Sequence, residues 1–207
     1  NGAPLGGKWT YDSENRKKLP PKVNIPKLWT PTFNSYVREA ELYIKENFIQ
    51  NPGILEGFFY PVTHMDAERW LHDFIKNRLI FFGPYEDAIH SDHAFFFHSV
   101  LSPLLNSGLL TPNQVLNQIL DFHADNPFPL NSIEGFIRQL IGWREYVKII
   151  YDQIGMDQIQ SNFWNHYRSL PPEMYNGHFG IPPIDQALNH VFNNANLHHI
   201  ERLMLIG

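Results

Sequence analysis

The sequence predicts an all-α protein. Three observations carry that expectation. Apolar residues recur at helical spacing from residue 33 onward, and Pro, Gly, Asn and Thr punctuate the recurrence where helices start and stop. No segment alternates apolar and polar residues as a half-buried strand would.

Taken in order, Phe33, Tyr36, Val37, Ala40, Tyr43, Ile44 and Phe48 trace one helical face, which Asn51-Pro52-Gly53 ends. Thr63 is placed to cap a second helix, with Asp66 and Glu68 near its positive end and Trp70, Leu71, Phe74 and Leu79 along it. Gly83-Pro84 stops that helix. His98 to Leu105 reads as a short apolar helix. Thr111-Pro112 opens another, with Val115, Leu116, Ile119, Leu120 and Phe122 facing inward. Asn131 with Glu134 fits a capping box for a helix whose apolar residues run from Ile133 through Val147, Ile150 and Ile154 to a stop at Gly155. Residues 157–168 read as a further helix and Pro171 to Gly180 as a loop. Ile184 to Gly207 reads as one helix or two, with a break near Asn193-Asn194.

Residues 1–31 read differently, as a tether between domains, with the helical domain spanning 32–207. Prolines cluster from Pro20 to Pro31, and the basic run Arg16-Lys17-Lys18 fits a solvated linker better than a phosphate contact. The chain begins without Met and lacks a signal-peptide pattern, so it is expected to start inside a longer protein. With 43% hydrophobic and 18% charged residues, the composition is that of a folded domain. Sixteen Phe call for a core or ligand pocket that takes many flat rings. No apolar run is long enough to suggest a membrane span. The absence of cysteine excludes disulfides and thiolate-held metal within these residues, and points by default to the cytoplasm. The net charge of −5 divides into +4 over residues 1–30 and −9 beyond, which argues against coating DNA by bulk charge.

Three clusters carry candidate chemistry. Ser99 and Ser102, near a helix start, suit a diphosphate, although serines there are also ordinary caps. Gln139, Arg144 and Glu145 interrupt an apolar helix beside Trp143, whose face can stack a base; a core Trp flanked by surface charges is an equal reading. His198-His199 with Arg202 offers a proton donor near neutral pH. On a helix, adjacent histidines diverge by about 100°, so they are not expected to share a metal, and no metal site is expected.

In order, these segments resemble the photolyase/cryptochrome family, in its bacterial deoxyribodipyrimidine photolyase-related, (6-4) photolyase-like branch. The resemblance runs through Gly6-Gly7-Lys8-Trp9, Glu14-Asn15-Arg16-Lys17-Lys18-Leu19-Pro20, Phe97-His98-Ser99 with Leu101-Ser102-Pro103, Ile141-Gly142-Trp143-Arg144-Glu145-Tyr146, Gly180 to Asp185, and His198-His199-Ile200-Glu201-Arg202-Leu203-Met204. It implies a helical FAD-binding domain, without the N-terminal antenna domain, where an antenna chromophore could sit, and without the C-terminal end. Ser99, Leu101, Ser102 and Arg144 would then meet the FAD phosphates and Arg202 the flavin ring. Gln139 and Trp143 would face damaged DNA, and His199, beside His198, would act as acid. Gln139 stands where enzymes of the (6-4) type tend to place Gln.

The implied activity is light-driven electron transfer from reduced FAD to a flipped-out pyrimidine photoproduct. A cryptochrome photoreceptor with the same fold is the alternative, and a helical nucleic-acid module without flavin a third. Two departures stand out. Pro183 replaces a cluster cysteine of the iron–sulfur members, so no iron–sulfur cluster is expected, and Tyr175 stands where the branch often has Trp. A half-formed pocket around Trp143 and Leu197 is expected to leave apolar surface that favours self-association.

Overall fold

The computed structural model describes residues 2–206. Its elements are α1 (Ser35–Asn47), α2 (His64–Asn77), α3 (Leu79–Phe82), α4 (Ser102–Asn106), α5 (Pro112–Asp125), α6 (Leu130–Ile137), α7 (Trp143–Gln160), α8 (Pro182–Asn194) and α9 (His199–Glu201). A π-helical turn, Arg138–Gly142, joins α6 to α7, and another, Arg202–Ile206, follows α9. No strand occurs among the described residues, so the fold is all-α as the periodicity requires. No helix is long and apolar enough to cross a membrane among those residues.

The core is built on α2. Ala67, Trp70, Leu71, Phe74 and Ile75 bury one face of it against Leu79 and Phe82 of α3, Leu101, Leu104, Val115, Ile119 and Phe136. Thr63 caps α2, its Oγ1 accepting from the Asp66 amide at 3.1 Å, and Thr111 with Gln114 forms a capping box on α5, where Pro112 fills the first turn. Arg78, between α2 and α3, is fully buried. Its Nη2 meets Asp73 at 3.1 Å and its Nη1 donates to the His98 carbonyl at 2.8 Å.

That contact explains one departure from the sequence reading. His98 to Leu105 is not a continuous helix; α4 begins at Ser102. Phe96 and Val100 hold left-handed φ values of 47° and 53°, which a helix excludes and a β-branched Val resists. A helix through Ser99 would need an amide from residue 103, and Pro103 has none. Trp70 supplies the donor instead, its Nε1 reaching the Ser99 carbonyl at 2.9 Å.

Three further expectations are corrected. Asn131 and Glu134 make no capping box: α6 starts after Pro129, the Asn131 amide donates to Asn15, and Glu134 pairs with Arg138 at 3.2 Å. Packing against residues 10–15 takes these side chains away from the helix end. α7 does not stop at Gly155 but runs to Gln160, since one glycine costs a long helix only about 1 kcal/mol. Residues 161–168 are not helical. Asn162 exchanges hydrogen bonds with His166 across a turn in which Asn165 is left-handed. The break in the last segment falls where expected, with α8 ending at Asn194 and Ala195 left-handed at φ 49°.

Residues 2–31 hold only short 3-10 turns but lie against the helices. The Lys17 amide donates to the Pro84 carbonyl at 3.0 Å, Arg138 meets Asp12 at 3.0 Å, and Leu28 and Trp29 pack on the core. The end of α3 approaches α6 closely at Gly83, where a Cβ would fall 2.6–2.8 Å from backbone atoms of Asn131 and Ser132. Gly83→Ala is therefore expected to destabilise the protein by about 2 kcal/mol or more, read as a fall in the urea midpoint; an unchanged midpoint would show that α3 and α6 separate freely.

Candidate functional site

A cavity of about 710 Å³ opens between the segment 94–102, the α6–α7 junction and residues 196–203. It falls within the roughly 300–1,000 Å³ of ligand pockets. Each wall follows from local chain chemistry. Arg78 and Trp70 pin the carbonyls of His98 and Ser99, so both residues line the cavity beside Ser102. The π turn at the α6–α7 junction, a feature common at functional sites, carries Gln139 and leads into Trp143, and both face the same space. The left-handed Ala195 turns the chain so that His198, His199 and Arg202 close the far side.

Of the nine site residues expected from sequence, seven line this cavity: Ser99, Ser102, Gln139, Trp143, His198, His199 and Arg202. Leu101 and Arg144 do not. Leu101 is buried in the core, and Arg144 is half-buried on α7 next to Trp143. Trp143 remains 58% exposed, and its ring meets Tyr146 edge-on at 5.8 Å. A larger, apolar cleft of about 930 Å³ lies between the end of α1 and the end of α8. Its lining includes the Lys45–Glu56 ion pair, and none of the nine residues lines it.

The histidines do not diverge as the helical reading supposed. His198 precedes α9 as its N-cap, with Nδ1 accepting from the Ile200 amide at 3.1 Å. That extended conformation stacks its ring on His199 at 4.7 Å and 22°, and His98 meets His198 edge-on at 4.6 Å. Atoms of the three imidazoles lie within 4.8 Å of one another, a spacing that can hold a metal ion. Their lone pairs limit that use. The His198 Nδ1 lone pair is taken by the Ile200 amide, and His199 Nε2 lies 3.2 Å from Asp87 Oδ1, the arrangement of an N–H held by a carboxylate. The cluster therefore leaves His199 Nδ1 and His98 with free lone pairs, a set better suited to proton transfer than to three-point chelation.

Burial holds His198 down to about 4, with the neighbouring His199 adding to the effect. Burial also holds His98 well below the usual imidazole range, with His198 and His199 adding to it. Both are neutral at pH 7. Glu86, 5% exposed, has its carboxyl raised by burial against the opposing hydrogen bonds from Asn15 and Gln139. Glu86, Asp87 and His98 were absent from the candidate set. Glu86-Asp87 follows the Gly83-Pro84 helix stop as an ordinary acidic pair, and nothing local ties it to a histidine 112 positions away.

These shifts set a pH dependence. Between about 4 and 6.5 the unfolded chain protonates His198 while the folded protein does not, so stability falls as pH drops through that window; His98 acts with the same sign. Glu86 acts oppositely, since its raised carboxyl favours the folded state in acid and that contribution is lost as pH rises. His198→Asn keeps an acceptor for the Ile200 amide and removes the titration. It is expected to remove up to about 3 kcal/mol of the stability lost between pH 6.5 and 4, read as a flatter decline of the thermal midpoint. A slope equal to that of the parent protein would place the acid sensitivity elsewhere.

Residues 1–60 match the family described as "Deoxyribodipyrimidine photo-lyase-related protein". The chain is 39% identical over 206 residues to a (6-4) photolyase of Agrobacterium fabrum, a match covering 99% of this chain and 40% of that protein. It is also 44% identical over 109 residues to uncharacterized protein R853 of Acanthamoeba polyphaga mimivirus, covering 52% of this chain and 83% of that one. The chain thus spans about 40% of the length of its photolyase relative. Matches at both levels agree with the ordered motifs and the helical architecture, and the chain belongs to the photolyase-related family.

Proposed function

We propose that this chain is part of a light-dependent DNA repair flavoprotein acting on a pyrimidine (6-4) photoproduct. The observation that carries the reading is the convergence, in one cavity, of an exposed Trp face, an amide side chain and a carboxylate-held histidine: Trp143, Gln139 and His199. Trp143 stacks the extruded base and Gln139 bonds its edge. His199, with Nε2–H held toward Asp87, takes a proton on its free Nδ1 and passes it on from there. Asp87 stabilises the imidazolium and fixes the ring. The buried, neutral His198 packs against one face of the His199 ring.

The residues present fit a flavin dinucleotide in part. Ser99 and Ser102 bring hydroxyls and Arg202 a cation to a cavity of ligand size, while Leu101 and Arg144 stand outside its lining, next in sequence to Ser102 and Trp143. FAD, when bound, supplies the light-driven electron. Residues 143–167 leave large apolar groups open, among them Tyr146, Tyr151, Phe163 and Trp164. Surface of that kind suits contact with further flavoprotein structure, or with a second copy when the chain is alone.

The reading is tested with the full-length, FAD-loaded protein, blue light and an oligonucleotide bearing one (6-4) photoproduct. Restoration of the pyrimidines is expected, and His199→Ala should lower the rate by about 10²–10⁴. Flavin photochemistry without restoration would favour a photoreceptor. In a flavin titration of the same protein, Ser102→Ala should weaken binding modestly and Arg144→Ala more, since a charge-assisted bond is worth about twice a neutral one. Equal or absent effects would detach both residues from the phosphates. The 207-residue chain alone should stay nearly colourless after gel filtration with excess FAD, because tight pockets enclose roughly 70–90% of a ligand and this one is open beside Trp143. A stoichiometric yellow peak would show that this half of the site suffices.

A further inference from the structure

We infer that Glu86 is a positioning residue that fixes the amide of Gln139 with its oxygen toward the cavity, and that Asn15 of the N-terminal segment holds Glu86 for that role. The inference deepens the proposed DNA reading and, for its ligand, rests on it.

The argument is one of hydrogen-bond direction. An ionised carboxylate only accepts. Asn15 Nδ2 donates to Glu86 Oε2 at 3.1 Å, and Gln139 Nε2 donates to Glu86 Oε1 at 2.8 Å. Asn15 must therefore turn its own oxygen the other way, where Oδ1 accepts from Asn131 Nδ2 at 3.1 Å. One carboxylate thus sets the orientation of three amides. Glu86, Asn15 and Asn131 are 5%, 2% and 5% exposed, so water is poorly placed to reverse any link. Gly135 makes room for the junction, since a Cβ there would lie 2.8 Å from Asn15 Nδ2 and 3.2 Å from Glu86 Oε2.

Of these linked side chains, Glu86 and Gln139 line the cavity, and Gln139 is the amide that does so. With Nε2 committed to Glu86, its Oε1 is the group left to accept from a ligand. The site then favours a base that presents a ring N–H on its edge, as a pyrimidine imide does. A reversed amide would set donor against donor and leave a buried oxygen facing the Glu86 carboxylate. Asn15 lies in the segment that otherwise looks like a tether, so this link also ties the tether to ligand recognition.

Two measurements on the full-length, FAD-loaded protein test the inference. First, in protein labelled with ¹⁵N-glutamine, one side-chain N–H of Gln139 should exchange at least about a hundredfold more slowly than exposed glutamine amides, and that protection should be lost in Glu86→Gln. Exchange at the exposed rate in the parent protein would overturn the inference. Second, dark binding is compared for a duplex with one (6-4) photoproduct and the same duplex undamaged. Glu86→Gln keeps the volume but leaves one acceptor oxygen in place of two, so it no longer fixes both amides in one orientation. It should leave undamaged binding unchanged, while the damaged-to-undamaged affinity ratio falls about tenfold. Asn15→Leu should lower the ratio in the same direction. A ratio equal to the parent's in both variants would overturn the inference. Should Glu86→Gln not fold, Asn15→Leu and the exchange of the parent protein decide. Should the parent show no preference for the damaged duplex, the DNA reading fails, while the exchange measurement still decides the orientation of Gln139.

Discussion

A single buried guanidinium holds the site together. Arg78 has no exposed surface, and a charge taken so far from water is tolerated only when it is paired and bonded. Its partners are Asp73 and the His98 carbonyl, and its Cζ lies 5.6 Å from the centroid of the Phe74 ring. A lysine could not repeat this, because it lacks the planar fork that reaches a carboxylate and a carbonyl together. Once the His98 carbonyl is fixed and Trp70 has taken the Ser99 carbonyl, the left-handed Phe96 and Val100 have no easy way to relax. The strained segment between them presents His98 and Ser99 to the cavity.

From there the site is organised by two adjacent acids with different duties. Glu86 points inward and is almost fully buried, where it gathers amides from the N-terminal segment and from the α6–α7 junction. Asp87 is half-exposed and meets His199, with Arg16 3.8 Å from its other oxygen. The buried acid gives geometry and the exposed one gives charge. His198 connects them to α9 by capping that short helix with its own ring, which is why the two histidines stack rather than splay.

Much of this was legible in the sequence. Helical spacing, Thr63 and Thr111 caps and the stop near Asn194 determined an all-α fold and most helix starts, because caps and periodicity depend on residues a few positions apart. The order of the motifs determined the family, and Gln139, Trp143, His198, His199 and Arg202, singled out with those motifs, all line one cavity.

What only the tertiary structure decided depends on distant partners. The apolar stripe of α7 is plain in the sequence, yet Val147 and Ile154 are 59% and 48% exposed, since periodicity names a face but not what covers it. Asn131 looked like a cap until Asn15 claimed it. Glu86 and Asp87 carried no local signal, and their roles come from Gln139 and His199, 53 and 112 residues further on. Caps and helical faces are encoded within a turn or two of chain, whereas a buried carboxylate is defined by whichever donors the fold brings to it.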